Sequence, residues 1–277
     1  MLRVFVSSPK ILSFFNMFEI QAYGLFFVIG LFSFLALFLP KTAQRIQVSK
    51  EKLFYCVVIS LCAGIVGARL FYVLEFPALF KQGLLNVINP QAGGLSLLGG
   101  LFVAPIAGLL ACRFFKVSFV TFFDYAALYV PIFDFFGRIG CFFGGCCYGV
   151  PTKFFFSVMY LDGAVSAPLN VDLLPIQLFT ALLFFCLFIF MYVFRTFFLK
   201  YPGSLTFLYF SGAGFIRFFT DFFREDRSLS VFAGDLGGVA ISVTWYQIIS
   251  LTFAFFSVVG VFVCLIRAKK SLPLERL

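Results

Sequence analysis

The sequence contains no histidine, and this absence limits the chemistry that the chain can perform. Histidine is the commonest general base and the commonest metal ligand, so any reaction here has to use other groups. Charged residues are also scarce: they make up 12% of 277 residues, whereas hydrophobic residues make up 62%. Soluble domains carry about twice that share of charge. The composition therefore excludes an ordinary soluble domain and predicts a polytopic membrane protein.

The formal net charge is +9, which in a soluble protein would suggest nucleic acid as a partner. Here the basic residues fall mainly between apolar runs, where they set the orientation of a membrane protein and meet anionic lipid. We therefore expect a membrane setting and no nucleic-acid partner.

Seven apolar runs are each long enough to cross a bilayer, which takes roughly 20 residues. They cover residues 20–39, 53–74, 94–115, 119–136, 175–194, 204–222 and 245–266. The sequence thus predicts an all-α polytopic membrane protein with about seven transmembrane helices. One membrane-embedded domain over residues 1–277 is enough to account for it.

The loops predict the orientation of the chain. Those that follow the first, third, fifth and seventh runs hold twelve of the 21 basic residues. By the positive-inside rule these loops are cytoplasmic, so the N-terminus lies outside and the C-terminus in the cytoplasm. The longest outward segments, residues 148–174 and 224–244, contain acids and turn-forming residues. We expect them to form a small extracytoplasmic cap.

The stretch Gly137–Gly149, which reads GRIGCFFGGCCYG, is the first candidate for the chemistry. Arg138 follows an apolar run, where a guanidinium needs a carboxylate, a phosphate or water within reach. Five glycines in thirteen residues argue against a regular helix. We therefore expect a re-entrant turn that lines a cavity.

The same stretch contains Cys141, Cys146 and Cys147, whereas the other five cysteines lie inside apolar runs. Their spacing is not the Cys-x-x-Cys of zinc or thioredoxin-type sites, and no further ligand cluster is visible. We expect no metal here. A disulfide in an oxidising compartment and plain packing both remain open.

A second charged cluster contains Arg217, Asp221 and Arg224, which the spacing places on one helix face. Such a ladder can be an ion-paired helix end. However, one acid cannot neutralise two arginines, so a spare positive charge remains. In the outer leaflet the abundant anion is a lipid phosphate, which makes this cluster a candidate lipid site.

Arg69 and Tyr23 are weaker candidates. An arginine inside an apolar run is by default functional, although Arg69 can instead snorkel or pair with an acid such as Glu75. Tyr23 opens the first run, where tyrosines usually belong to the aromatic belt. The glycine pairs within Gly93–Gly100 are consistent with close helix packing and with a lipid headgroup site.

Together these motifs resemble the bacterial prolipoprotein diacylglyceryl transferases. Gly137–Gly149 is similar to the family signature Gly-Arg-x-Gly-Asn-Phe-x-Asn-x-Glu-x-x-Gly, with cysteine in place of the first asparagine and the glutamate. Tyr23, Arg69 and the ladder from Arg217 to Arg224 follow in matching order. The family histidine corresponds to Leu98, and the family tyrosine before the second arginine corresponds to Ala213.

The resemblance implies a bacterial inner-membrane enzyme whose active site faces the extracytoplasmic side. It implies transfer of a diacylglyceryl group from phosphatidylglycerol to the lipobox cysteine of prolipoproteins, without a cofactor. Arg138 and Arg217 would hold the phosphate, and Asp221 would orient Arg217. The residues that would assist headgroup binding are Arg69, Arg224, Tyr23 and Gly149. The proton acceptor would be Asp221, Tyr23 or water.

Two alternatives remain beside the transferase. A relative without catalysis, or with another acceptor, would bind anionic lipid but form no thioether product. A thiol-based membrane redox protein would depend on Cys141, Cys146 and Cys147, and full function of a triple serine variant would exclude it.

Overall fold

The computed structural model describes residues 2–6, 10–14, 18–77, 94, 96–225, 230–236 and 239–271. Within these ranges the chain forms seven α-helices, one at each predicted apolar run. They are α1 Ala22–Ile46, α2 Lys50–Glu75, α3 Leu97–Phe114, α4 Phe119–Gly144, α5 Ile176–Phe198, α6 Ser204–Asp221 and α7 Trp245–Ser271. The prediction of an all-α polytopic membrane protein is confirmed.

Not all seven helices are equally suited to cross a membrane. Five of the described helices, α1, α2, α4, α5 and α7, are long and apolar enough to do so. The helix α3 is apolar but shorter. The helix α6 has 18 residues and carries both Arg217 and Asp221, which makes it the more polar of the two remaining helices.

The prediction of a re-entrant turn is wrong for the first part of Gly137–Gly149, because α4 continues to Gly144. A helix satisfies its own backbone donors and acceptors, which apolar surroundings cannot do. One of its glycines serves packing, since a Cβ at Gly140 would lie 3.2 Å from Cβ of Phe26. The turn begins at Gly145, where φ is +65°.

The described chain divides into two compact units, residues 38–123 and residues 1–37 with 124–277. In the smaller unit α2 packs closely on α3 through glycines. A Cβ at Gly64 would lie 2.9 Å from Cβ of Ala104, and one at Gly99 would overlap the carbonyl of Gly67. Close helix packing therefore accounts for this part of the double-glycine run; Gly93 lies outside the described residues. The single functional domain stays a prediction.

In the larger unit Asp124 fixes the start of α6. Its Oδ2 accepts a hydrogen bond from the backbone N–H of Gly203 at 2.6 Å. Its Oδ1 accepts from the backbone N–H and the hydroxyl of Thr206, at 2.9 and 2.7 Å. Because the first N–H groups of a helix have no partner within it, this buried carboxylate acts as a cap supplied by α4.

Short strands accompany the helices. They are β1 Leu2–Val6, β2 Lys10–Phe14, β3 Phe18–Gln21, β4 Phe156–Tyr160, β5 Ser230–Leu236 and β6 Val239–Thr244. The strand β1 pairs in parallel with β4, from Leu2 opposite Phe156 to Val6 opposite Tyr160. The other two pairs, β2 with β3 and β5 with β6, are antiparallel.

The predicted cap segment 148–174 folds around β4 on an apolar core. The buried members of this core are Val6, Phe142, Val158, Tyr160, Ala167 and Leu173. Arg3 and Asp172 form a salt bridge of 2.7 Å beside it. The second segment, 224–244, contains β5 and β6, and its residues 226–229, 237 and 238 lie outside the described ranges. The membrane side of the cap stays a prediction.

Candidate functional site

Three of the predicted arginines meet in the larger unit. Arg217 on α6 interacts electrostatically with Arg138 on α4 and with Arg224, which follows α6. Like charges repel, so three guanidinium groups held together create a positive potential that favours an anion. The structure thus brings together the two clusters that the sequence predicted separately.

Arg217 is held by a carboxylate one helical turn away. Its Nη2 lies 3.3 Å from Oδ1 of Asp221. The Asp221 side chain is 4% exposed and that of Arg217 28%. The guanidinium carbon also lies 5.6 Å from the centroid of the Tyr246 ring. This arrangement is what the predicted orienting role of Asp221 requires.

Asp221 is in turn held by a residue that the sequence analysis missed. The hydroxyl of Thr244 donates to Oδ2 of Asp221 at 2.8 Å. The same hydroxyl accepts from the backbone N–H of Gln247 at 3.2 Å, and Oε1 of Gln247 accepts from the N–H of Thr244 at 2.9 Å. This is a capping box at the start of α7. The sequence pattern Thr-x-x-Gln indicates such a box and could have been used to predict it.

Arg138 has a different environment. It interacts electrostatically with Asp134, one turn earlier on α4, and with Tyr209 on α6. Oδ2 of Asp134 accepts a hydrogen bond from the Tyr209 hydroxyl at 2.8 Å. Among the residues that the structure describes, no carboxylate oxygen lies within 4.0 Å of the Arg138 nitrogens. The Asp134–Tyr209 pair was not predicted, because its two residues are 75 positions apart; the spacing of Asp134 and Arg138 indicated only that these two lie on one helix face.

Tyr23 also belongs to this site. It interacts electrostatically with Arg138 and with all three clustered cysteines. A Cβ at Gly140 would lie 3.4 Å from Cα of Tyr23, so the start of α1 packs directly on α4. The rings of Phe26 and Phe143 stack beside this contact, with centroids 5.3 Å apart. The sequence alone favoured an aromatic-belt position for Tyr23; the structure leaves it 45% exposed and places it near Arg138.

Cys141, Cys146 and Cys147 form a cluster of free thiols. Their Sγ atoms all lie within 4.8 Å of one another. Hydrogen bonding with the thiols of Cys141 and Cys146 lowers the pKa of the Cys147 thiol, and the charges of Arg224 and Arg138 lower it further. The same hydrogen bonding, together with burial, raises the pKa of Cys146. The cluster therefore favours a thiolate at Cys147.

Two buried side chains hold the backbone of this turn. Tyr160 of β4 donates to the carbonyl of Phe142 at 2.7 Å. Nε2 of Gln177 on α5 donates to the carbonyl of Cys146 at 2.9 Å. Neither residue was predicted, because both come from segments distant in sequence. Together they fix the thiol cluster to the cap and to α5.

Gly149 connects the turn that contains Cys146 and Cys147 to Arg224 of the second arginine cluster. Its backbone forms an antiparallel bridge with Arg224, and the N–H of Val150 donates to the carbonyl of Phe223 at 3.0 Å. A Cβ at Gly149 would overlap the carbonyl of Leu174. Close backbone approach therefore explains this glycine. Its predicted contact with lipid stays a prediction.

Arg69 lies in the smaller unit and has a structural contact there. Its Nη1 donates to the carbonyl of Gly94 at 3.0 Å, and its guanidinium carbon lies 5.9 Å from the centroid of the Tyr72 ring. Glu75 accepts a hydrogen bond from the hydroxyl of Ser96 at 2.8 Å. Both side chains thus bind the segment that leads into α3, and the headgroup role of Arg69 stays a prediction.

Comparison with known proteins yields consistent matches. The profile of the family described as prolipoprotein diacylglyceryl transferase matches residues 9–263. A Rhodospirillum rubrum protein named phosphatidylglycerol--prolipoprotein diacylglyceryl transferase is 30% identical over 259 residues, which cover 91% of this chain and 90% of that protein. A Clostridium tetani protein of the same name is 28% identical over 175 residues, 61% of this chain and 67% of that protein.

Proposed function

Because this chain belongs to the prolipoprotein diacylglyceryl transferase family, we propose that it transfers the diacylglyceryl group of phosphatidylglycerol to the lipobox cysteine of prolipoproteins. The observation that carries the proposal is the meeting of Arg138, Arg217 and Arg224 in one environment within a bundle of apolar helices. An anion with an apolar tail suits such a place, and phosphatidylglycerol is one.

The reaction is a displacement at a glycerol carbon. The sulfur of the lipobox cysteine forms a bond to that carbon, the carbon–oxygen bond breaks, and glycerol phosphate leaves with the electron pair. The leaving phosphate gains negative charge as the bond breaks. Arginine donors placed in advance stabilise this charge more in the transition state than in the ground state, by a few kcal/mol.

The arginines have distinct roles in this proposal. Arg138 has no carboxylate within salt-bridge distance among the described residues, so its donors can bind phosphate in bidentate fashion. Arg217, oriented by Asp221, binds the same phosphate from α6. Arg224 and Tyr23 assist headgroup binding beside them. The headgroup roles that the family resemblance implies for Arg69 and Gly149 stay predictions.

The incoming thiol also benefits from the positive potential. A free cysteine has a pKa of about 8.5, so a modest positive field increases its thiolate fraction at neutral pH. Its proton passes to Asp221, Tyr23 or water. In this transfer step the arginines stabilise the charge of the leaving phosphate, and no organic cofactor is needed.

The proposed location is the bacterial inner membrane, with the site on the extracytoplasmic side. The support is the positive-inside rule: basic residues concentrate in alternate loops, which leaves Gly137–Gly149 and the cap facing outward. Prolipoproteins and phosphatidylglycerol can both reach a site there.

The test is mass analysis of a lipobox peptide incubated with the purified protein and phosphatidylglycerol. We expect a thioether product. Arg138→Ala should reduce kcat/KM by about 100-fold or more, the usual effect of losing one donor to developing charge. Arg113→Ala is the matched control, because Arg113 is exposed in the last turn of α3. A peptide with serine in place of cysteine should give no product.

A lipid-binding relative without catalysis is the second candidate, favoured by Cys141 and Cys146 at positions where the family signature has asparagine and glutamate. It predicts phosphatidylglycerol binding that Arg138→Ala weakens, with no thioether product. Rescue of a strain depleted of its own transferase would exclude this candidate, and absence of both product and rescue would contradict the transferase.

A further inference from the structure

We propose that Cys141, Cys146 and Cys147 bind one soft metal ion with a filled d shell, Zn²⁺ or Cu⁺, through three thiolates. This site lies beside the proposed phosphate site and shares the charges of Arg138 and Arg224 with it, but its test does not require lipid transfer. Soft thiolate ligands select such ions over Mg²⁺ or Ca²⁺. Zinc sites with an open position use three protein ligands, and this cluster supplies three.

The geometry of the cluster suits such an ion. The three Sγ atoms lie within 4.8 Å of one another. A zinc–sulfur bond of about 2.3 Å places thiolates of one ion about 4 Å apart. Small side-chain rotations are therefore enough to bring all three sulfurs to bonding distance, without movement of the backbone.

Two residues of the turn after α4 have left-handed backbone. Cys147 has φ of +54° and Gly145 has φ of +65°. At Gly145 this is the usual end of a helix, where the N–H of Cys146 donates to the carbonyl of Cys141. At Cys147 it is uncommon, and such strain concentrates at functional sites. These two residues turn the chain back after α4, so that Cys146 and Cys147 face Cys141. A disulfide would use two of the sulfurs and leave the third without a role.

Residues around the cluster provide the support that metal ligands usually have. Gln177 binds the carbonyl of Cys146, and Tyr160 binds that of Phe142. The remaining oxygen of Gln177 is buried and has no hydrogen-bond partner in the described part of the chain. A water carried by the metal as a fourth ligand would supply one. Outer partners of this kind orient ligands and tune metal affinity.

The surrounding charge also favours the site. Three thiolates exceed the charge of Zn²⁺ by one and that of Cu⁺ by two. Arg138 and Arg224 both interact electrostatically with Cys147 and offset this excess. A positively charged setting lowers the free-energy cost of holding an anionic metal–thiolate complex in a partly buried place.

The experiment measures metal bound to the full-length protein in detergent, with a non-thiol reductant present. After incubation with Zn²⁺ alone or Cu⁺ alone and removal of excess ion, we expect one ion per chain to be retained. Changing Cys141, Cys146 and Cys147 to serine should abolish this retention. The matched control changes Cys62, Cys186 and Cys264 to serine, which removes as many thiols elsewhere, and should retain the ion.

A second readout uses alkylation, because the serine variant can fail to fold. In the wild-type protein, bound metal should slow maleimide labelling of Cys141, Cys146 and Cys147 by about 10-fold or more, and a chelator that removes the ion should restore the labelling rate. Retention of Zn²⁺ or of Cu⁺ identifies the ion. Equal retention by both variants, or no protection of the cluster by either ion, would overturn the proposal.

Discussion

Thr244 shows how a single hydroxyl can act on the site through two other residues. It donates to Asp221, whose other oxygen pairs with Arg217, and it also caps α7. Removing the hydroxyl therefore releases one side of the Asp221 carboxylate and weakens a helix terminus. The position of Arg217 depends on both effects.

We expect Thr244→Val to lower kcat/KM of the proposed transfer and to destabilise the protein by about 1 kcal/mol, the usual cost of a lost cap. Thr244→Ser keeps the hydroxyl and should restore both properties. Peptide lipidation kinetics and thermal unfolding in detergent measure them. A valine variant that loses stability while kcat/KM is unchanged would contradict the link to Arg217.

Cys147 differs from its neighbours in acidity. Hydrogen bonding within the thiol cluster and the nearby arginines lower the pKa of Cys147, whereas the pKa of Cys146 is raised. A lowered pKa means that the thiolate persists to lower pH than that of an ordinary thiol and is lost when the pH falls through the lowered value. An ordinary thiol, with a pKa of about 8.5, is mainly protonated at pH 7.

Iodoacetamide should therefore label Cys147 before Cys146 at pH 7 in the reduced, metal-free protein. Labelling of Cys146 should rise only at alkaline pH. Peptide mass spectrometry over a pH series measures both. Identical pH profiles for the two cysteines would show that the cluster does not separate their acidities.

At the scale of elements, α4 contains two glycines with opposite surroundings. A Cβ at Gly137 would meet no atom within 4 Å, whereas one at Gly140 would lie 3.2 Å from Phe26 and 3.4 Å from Tyr23. Alanine is favoured over glycine within a helix by about 1 kcal/mol. Replacing glycine by alanine is therefore expected to increase stability at Gly137 and to decrease it at Gly140.

Gly137→Ala should raise the apparent unfolding temperature slightly, and Gly140→Ala should lower it, because α1 has to move away from α4. Gly140→Ala should also reduce activity, since Tyr23 moves with α1. Thermal unfolding of both variants in the same detergent checks this. A stabilised Gly140→Ala variant would indicate that the helices adjust without cost.

Asp124 joins α4 to the start of α6 and thereby places the helix that carries Arg217. Its carboxylate accepts three hydrogen bonds, from Gly203 and Thr206. Asp124→Ala leaves buried donors without an acceptor, and we expect a loss of about 1–3 kcal/mol. Thermal unfolding measures it, with Glu51→Ala in the exposed first turn of α2 as the control. Equal stability of both variants would argue against the capping role.

At the scale of the whole molecule, the predicted orientation can be tested directly. We expect a cysteine at Val165, which is exposed in the cap, to react with a membrane-impermeant maleimide in whole cells. A cysteine at Lys116 should react only after permeabilisation, because it lies in a basic loop. Peptide mass spectrometry separates label at residues 165 and 116 from background label at the free thiols Cys141, Cys146 and Cys147. The reverse pattern would invert the topology.

Much of the fold was predictable, because apolar runs of membrane length have to form helices that satisfy their own backbone. The seven runs correspond to the seven described helices. The extension of α4 to Gly144 was not predicted. Glycine permits a turn, but in apolar surroundings the backbone is more stable as a helix, which satisfies its own hydrogen bonds. The parallel pairing of β1 with β4 joins residues more than 150 positions apart, which no local pattern indicates.

The membrane class, the helices and the family follow from the amino-acid sequence, because they depend on composition, on the length of apolar runs and on motifs in order. The sequence also indicates an excess of positive charge at two places. The fold adds that Arg138 and Arg217 lie close enough to interact electrostatically, and that three cysteines lie near them. Both facts depend on how α1, α4 and α6 pack and on a left-handed turn at Cys147, and such contacts between distant residues exist only after folding.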